Sequence, residues 1–202
     1  MPIPFLPRLA GLAALSLIAG CTSQTSRYDA EMAKAANASI IVCHGFDCRR
    51  KTRLTLSDEN SDRLAAIMAT GSGSAAAERE AIRRATAYYE QLSTAVIGVA
   101  DLPKSDITQS GVIGQMDCID ESTNTRALLL HLAGRGLLHH HSVEMNRSRG
   151  LFVDGRHPHS TAVVRDKSGK RWAIDSWYEP AGGLPDVMPL DQWVSRGVLG
   201  QR

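Results

Sequence analysis

Apolar and polar residues alternate with two periods along this chain. Ala38 to Val42 and Thr52 to Leu56 are short runs that predict two strands joined at a turn-like segment. Asp58 to Ala69 predicts a short helix, ended by Gly71-Ser72-Gly73. A longer helix is predicted after Ser74, with Ile82, Ala85, Tyr89, Leu92 and Val96 at spacings of three and four; that stripe is core, and Gly98 stops the helix. Asp101 to Gly114, with Pro103 and Gly111, reads as loop. A helix-like stretch then opens at Cys118 and stops near Gly134 or Gly136. Strand-like runs follow from His159 to Arg165 and from Arg171 to Trp177. Tyr178 to Pro189 reads as a Pro/Gly-rich loop and Leu190 to Arg196 as a short closing helix. There is no internal repeat and no second domain boundary.

The last two strands carry chemistry. Asp166-Lys167-Ser168-Gly169-Lys170 reads as a hairpin loop in which Gly169 supplies the positive φ. Pairing Asp166 with Lys170 sets His159 opposite Trp177 and Thr161 opposite Asp175. His159 and Asp175 then become diagonal neighbours on one face, about 7–8 Å apart at Cα and within side-chain reach. A slip of one residue would put them on opposite faces. Cys118 stands at a predicted helix N-terminus, where partial positive charge favours a thiolate. Asp117 is the expected N-cap, with Asp120 at the third helical position to reciprocate. A thiol, an imidazole and a carboxylate are the parts of an activated sulfur nucleophile. If ion-paired, the thiol should react well below the free-thiol pKa of about 8.5.

The chain ends place these residues in a compartment. One basic residue, Arg8, precedes an apolar run from Leu9 to Ala19 that stops at Gly20-Cys21, which reads as a secretory signal over residues 1–20. Ile18-Ala19-Gly20-Cys21 resembles a bacterial lipobox, which implies acylation of Cys21; an ordinary signal peptide with a chance cysteine is the other reading. Thr22 after it, rather than Asp, implies the outer membrane, facing the periplasm. Residues 21–37 would be a tether and 38–202 the folded domain. With 23 Lys and Arg against 21 Asp and Glu, no strong field directs the chain to nucleic acid. The basic run Arg49 to Arg53 reads as a solvated strand face, with contact to anionic lipid or cell-wall polymer as the alternative.

Four cysteines then divide themselves. Export means an oxidising compartment, and the turn between the first two strands brings Cys43 and Cys48 together, so a disulfide is expected. A metal site from Cys43, His44 and Cys48 lacks a fourth ligand at a standard spacing. With Cys21 acylated and that pair bonded, Cys118 is left as a lone thiol. His157 competes with His159 for the role of base, and lies two residues farther from Asp175 in the derived register. His139-His140-His141 reads as a solvated strand rather than a metal tract. His131 falls mid-helix. Trp172, Trp177 and Trp193 are core or cleft wall, and Trp177 beside Asp175 would shield a His–Asp pair from water.

Asp117-Cys118-Ile119-Asp120 at a helix start, His159 to Arg165, Gly169 in the turn and Asp175-Ser176 at a strand end are together similar to the transglutaminase-like superfamily. The branch they most resemble is the bacterial transglutaminase-like cysteine proteinases. The resemblance spans roughly Gly114 to Trp177 and rests on order and element type rather than on a long shared string. It implies an α+β, papain-like or transglutaminase-like fold, with the nucleophile helix packed on an antiparallel sheet. It also implies Cys118 as nucleophile, His159 as base and Asp175 as its orienter, with no cofactor. Met116 before Asp117 and the polar run Ser122-Thr123-Asn124-Thr125 depart from the family pattern. The Cys118 backbone N–H, with Gln115 as a second donor, would form the oxyanion hole. The function expected is acyl transfer at a peptide or protein amide through a thioester, resolved by water or by an amine. The alternative is a non-catalytic binding or scaffold lipoprotein that keeps the fold.

Overall fold

The computed structural model describes residues 39–150 and 158–196. The signal segment, Cys21, the tether and His157 lie outside the described residues. What is described mixes helices with antiparallel sheet, an α+β arrangement. A hairpin of β1 (Ser39–His44) and β2 (Arg50–Thr55) leads into α1 (Asp58–Ala69) and α2 (Ala75–Ile97). After a long loop with one 3-10 turn come α3 (Cys118–Gly134), β3 (His141–Val143), β4 (Arg147–Arg149), β5 (His159–Asp166), β6 (Arg171–Asp175), β7 (Asp186–Pro189) and α4 (Leu190–Ser195). The second sheet runs β3-β5-β6-β7, with β4 also paired to β5 and all pairings antiparallel.

Local chemistry accounts for the helix ends. Ser57 and Ser74 cap α1 and α2 by accepting the Asn60 and Ala77 backbone N–H groups, and Gly98, at φ 83°, closes α2 in the left-handed conformation. The α2 stripe is buried at Ile82, Ala85 and Tyr89, while Val96 is 40% exposed beyond the packed stretch. β2 carries its arginines outward, as a solvated face should.

α3 is the centre of the molecule. It packs on β5 and β6 on one side and on β1 and α2 on others. Ala127, Leu128, Leu129 and Leu132 meet Ala162, Val164 and Ile174 from one face of the sheet. The alternate residues Val163 and Ala173 point to the opposite face and pack with Met188, Leu190 and Trp193. The polar run of α3 belongs to this packing. Ser122 Oγ donates to Ser160 Oγ, Thr125 and Ser176 share a hydroxyl contact, and Asn124 brackets the Cys43 backbone by accepting from its N–H and donating to its carbonyl. Buried polar groups at the seam are thus paired, and they fix how the helix sits against both sheets.

Two strands differ from the sequence reading. The end of the expected loop Tyr178 to Pro189 is β7, which pairs with β6. β4, Arg-Ser-Arg, has no apolar residue to announce it, and its pairing with β5 makes it a strand. The histidine run also differs from a solvated strand. The His139 and His140 backbone N–H groups both donate to the Glu78 carboxylate, and His141 Nδ1 lies 2.7 Å from Glu78 Oε2 with both side chains fully buried. His131 is buried on α3. Among the described residues, no helix is long and apolar enough to cross a membrane.

Candidate active site

The β5–β6 hairpin holds the expected register: Ala162 opposes Ile174, Val163 opposes Ala173 and Arg165 opposes Arg171. Asp166 N–H bonds the Lys170 carbonyl, and Gly169 turns the chain at φ 88°. Asp166 also accepts the Ser168 and Lys170 N–H groups and the Trp172 indole, contacts that hold its carboxyl below the usual range. This register delivers the diagonal pair. His159 Nε2 lies 2.7 Å from Asp175 Oδ2, with the residues only 4% and 3% exposed. An ionised carboxylate only accepts, so Nε2 carries the hydrogen and a neutral ring leaves its lone pair on Nδ1. That Nδ1 is buried and has no hydrogen-bond partner among the described residues.

The surroundings of the pair are aromatic. The His159 ring lies 4.9 Å from Trp177, 5.4 Å from Tyr178 and 5.6 Å from Trp193, centroid to centroid. Trp193 does more than pack: its indole N–H donates to Asp175 Oδ2 at 2.6 Å. Arg149 stacks over Trp193 at 4.2 Å and also donates to its carbonyl oxygen, so the indole is held from both sides. Sequence reading left Trp193 as core or wall. The signal for its role was only its place, one turn into a helix that returns to the sheet.

Cys118 is the first residue of α3. Asp117 caps that helix through Oδ1, which accepts the Ile119 and Asp120 N–H groups. Asp120 does not complete a reciprocal cap. It faces the disulfide turn instead, accepting the Phe46 and Cys48 N–H groups, and burial raises its pKa to about 7. Cys43 and Cys48 are bonded, and Cys118 is a free cysteine. Gly45, Phe46, Asp47 and Cys48 all have positive φ, at 81, 69, 53 and 50°. Such a run costs non-glycine residues about 1–2 kcal/mol each. The disulfide, Asp120 and Asp117 Oδ2, which accepts the Asp47 N–H, together hold it against the start of α3.

The backbone N–H of Ser160, the residue after His159, lies near enough to the Cys118 sulfur to favour its charged form. The thiol pKa is not depressed. Burial first, and then the Asp117 charge, push the thiol up to about 12, with the nearby Asp175 charge adding to the rise. Burial thus outweighs the helix terminus, a direction opposite to the lowered thiol pKa that the sequence leads one to expect. Gln115 also departs from expectation. Its Nε2 donates to the Ala100 carbonyl, and its Oε1 accepts from Leu102 N–H and Ser105 Oγ. The amide is committed to the preceding loop rather than turned toward an oxyanion.

Behind the site lies a second group of acids. Glu90 from α2, Asp101 from the loop and Glu121 from α3 are buried together, and burial is the first cause that raises all three, to about 8 for Glu90 and about 6 for Asp101. Outside it, a surface groove of about 510 Å³ is lined by Arg126, Arg147 and Arg171 beside Glu144. Comparison with protein-family models, characterised proteins and solved structures returns no match.

Proposed function

We propose that the protein is an envelope lipoprotein carrying a Cys118-His159-Asp175 site for acyl transfer at peptide or protein amides, on a transglutaminase-like, papain-like fold. One observation carries the reading: a buried imidazole whose Nε2–H is locked on Asp175 and whose Nδ1 lone pair has no partner among the described residues. A buried acceptor in that state costs free energy unless something uses it. The Ser160 contact puts the Cys118 thiol against the same strand.

The chemistry follows from the tautomer. Nδ1 takes the Cys118 proton as the sulfur attacks the carbonyl carbon, and the imidazolium is stabilised by Asp175. The oxyanion is received by the Cys118 backbone N–H, at a helix start that has no partner within the helix. Nδ1–H then protonates the departing amine, leaving a thioester. Water gives its proton to Nδ1 and adds to the thioester, and the sulfur leaves and regains the proton; an amine in place of water makes the reaction a transamidation. The protonated resting thiol means that the proton transfer accompanies attack.

The raised thiol pKa favours a second reading, a binding lipoprotein that keeps the fold without turnover. Intact-mass analysis after incubation with a peptidyl acyloxymethyl ketone separates the two. Acylation chemistry predicts one adduct, on Cys118, absent in Cys118→Ser and strongly slowed in His159→Ala. No adduct, or equal labelling in His159→Ala, supports the binding reading. Anchoring is tested separately: Cys21→Ser should leave the membrane fraction, and retention there at mature size contradicts it.

A further inference from the structure

We propose that Asp101 and Glu121 share one proton, and that this protonated pair is a positioning element holding the nucleophile turn against the strand that carries Asp175. Both carboxyl groups are buried and line one small cavity, each within the other's electrostatic reach. Two ionised carboxylates only accept, so a bond between them exists only while one proton lies between them.

What the pair holds gives it a role. Asp101 Oδ1 accepts the Met116 N–H at 2.8 Å, two residues before Cys118, and also the Ser105 hydroxyl at 3.2 Å. Glu121 Oε2 accepts the Ser176 hydroxyl at 2.6 Å, one residue after Asp175. One shared proton therefore joins the turn leading into the nucleophile to the strand end that orients the histidine. The loop after β6 is tied beside the pair: the Ala181 N–H bonds the Asp101 backbone carbonyl and the Gly182 N–H bonds Glu90 Oε2 at 2.8 Å.

The charged and titratable groups around the pair come from each packed element. Glu90 and Tyr89 face it from α2, and Glu179 acts on Glu90 from the turn after β6. Tyr89, Glu90, Asp101 and Glu121 line a cavity of about 10 Å³, room for about one water molecule. Loss of the shared proton places like charges together in this enclosed space. Repulsion then acts along the tethers, on the Met116 amide and on Ser176. Asp101 and Glu121 are positioning residues, and the kinetic consequence for Cys118 rests on the nucleophile reading above.

The test is a carboxyl ¹³C NMR titration of the folded protein, joined to thermal melts from pH 5 to 9. At least one of Asp101 and Glu121 should titrate well above the ordinary carboxylate range, and Tm should fall by about 5 °C or more as it does so. Glu121→Gln supplies an amide N–H in place of the shared proton, while its oxygen can still take the Ser176 hydroxyl. It should flatten the fall in Tm and keep the Cys118 labelling rate, whereas Glu121→Ala, which removes the titrating pair and its bond alike, should slow the labelling. Asp101→Asn should behave as Glu121→Gln does. Ordinary titration of both carboxyls, or an unchanged pH slope in Glu121→Gln and Asp101→Asn, overturns the proposal. If Cys118 labels equally with and without His159 while the carboxyl titration is shifted, the nucleophile reading fails and the shared proton stands.

Discussion

Two buried histidine–carboxylate pairs, each at 2.7 Å, sit in this protein and differ in their surroundings. In the first, Glu78 takes the His141 ring and the His139 and His140 backbone N–H groups, while His141 Nε2 meets Arg79 Nη1 at 3.3 Å. Both nitrogens of that ring are used. In the second, Asp175 takes His159 Nε2 and the Trp193 indole, and His159 Nδ1 is left without a partner among the described residues. The acid and the distance are alike. What separates a clasp from a candidate base is the state of the other nitrogen.

The comparison breaks most visibly at Glu78. Glu78→Ala leaves two part-buried backbone donors and the buried His141 Nδ1 without their acceptor, and should cost about 3–5 kcal/mol in denaturant unfolding. His159→Ala leaves Asp175 its Trp193 donor and should cost about 1–2 kcal/mol. Equal costs would mean that both pairs are structural. Next in size is the disulfide that props the start of α3. Cys48→Ser should lower stability by about 2 kcal/mol by the chain-entropy estimate for so short a loop. It should also slow Cys118 acylation, because the left-handed turn and the N-cap share Asp117 and Asp120. Loss of stability without loss of acylation would separate the turn from the site. Smaller again is Trp193→Phe, which keeps the ring and removes its N–H from Asp175. A roughly tenfold loss of acylation rate, about 1.4 kcal/mol, is expected with the fold retained; an unchanged rate would return Trp193 to packing alone.

The two regions also pull stability in opposite directions with pH. Burial alone would raise Glu78, but the His139 and His140 N–H groups and the His141 ring outweigh it and hold the carboxyl below its ordinary value of 4.5. Its contribution is present above that value and is lost as pH falls. Glu90 and Asp101 are raised, to about 8 and about 6, so their contribution is present in acid and is lost as pH rises through those values. A raised carboxyl starts to lose its contribution once pH passes its ordinary value, so thermal melts should peak at about pH 4–5 and decline on both sides. A monotonic profile would show that one of the two clusters does not govern stability.

Much of this was legible because turn chemistry is local. Gly169 fixed the hairpin, the hairpin fixed the register, and the register put His159 beside Asp175. Ser74 and Asp117 stood before their helices in the same way. What was not legible depended on partners far along the chain. By position Asp120 read as the reciprocal of a helix cap and Gln115 as an oxyanion donor, yet each is claimed by a segment that sequence cannot place, the disulfide turn for one and the loop 100–105 for the other. The His139 to His141 run gave no hint of Glu78, and the burial that raises the Cys118 thiol depends on packing across the whole seam. β4 and β7 are strands only because β5 and β6 are there to pair with them.

The central claim is that His159 takes the proton of Cys118. Its most direct test is the pH–rate profile of iodoacetamide alkylation at Cys118, compared between the wild type and His159→Ala and read by intact mass. With the imidazole present, reactivity should rise through a range at least one pH unit more acid than in the variant. There, burial and the Asp117 and Asp175 charges alone should hold the thiol well above the ordinary value of about 8.5. Superimposable profiles would contradict the claim and leave His159 with Asp175 as a second clasp.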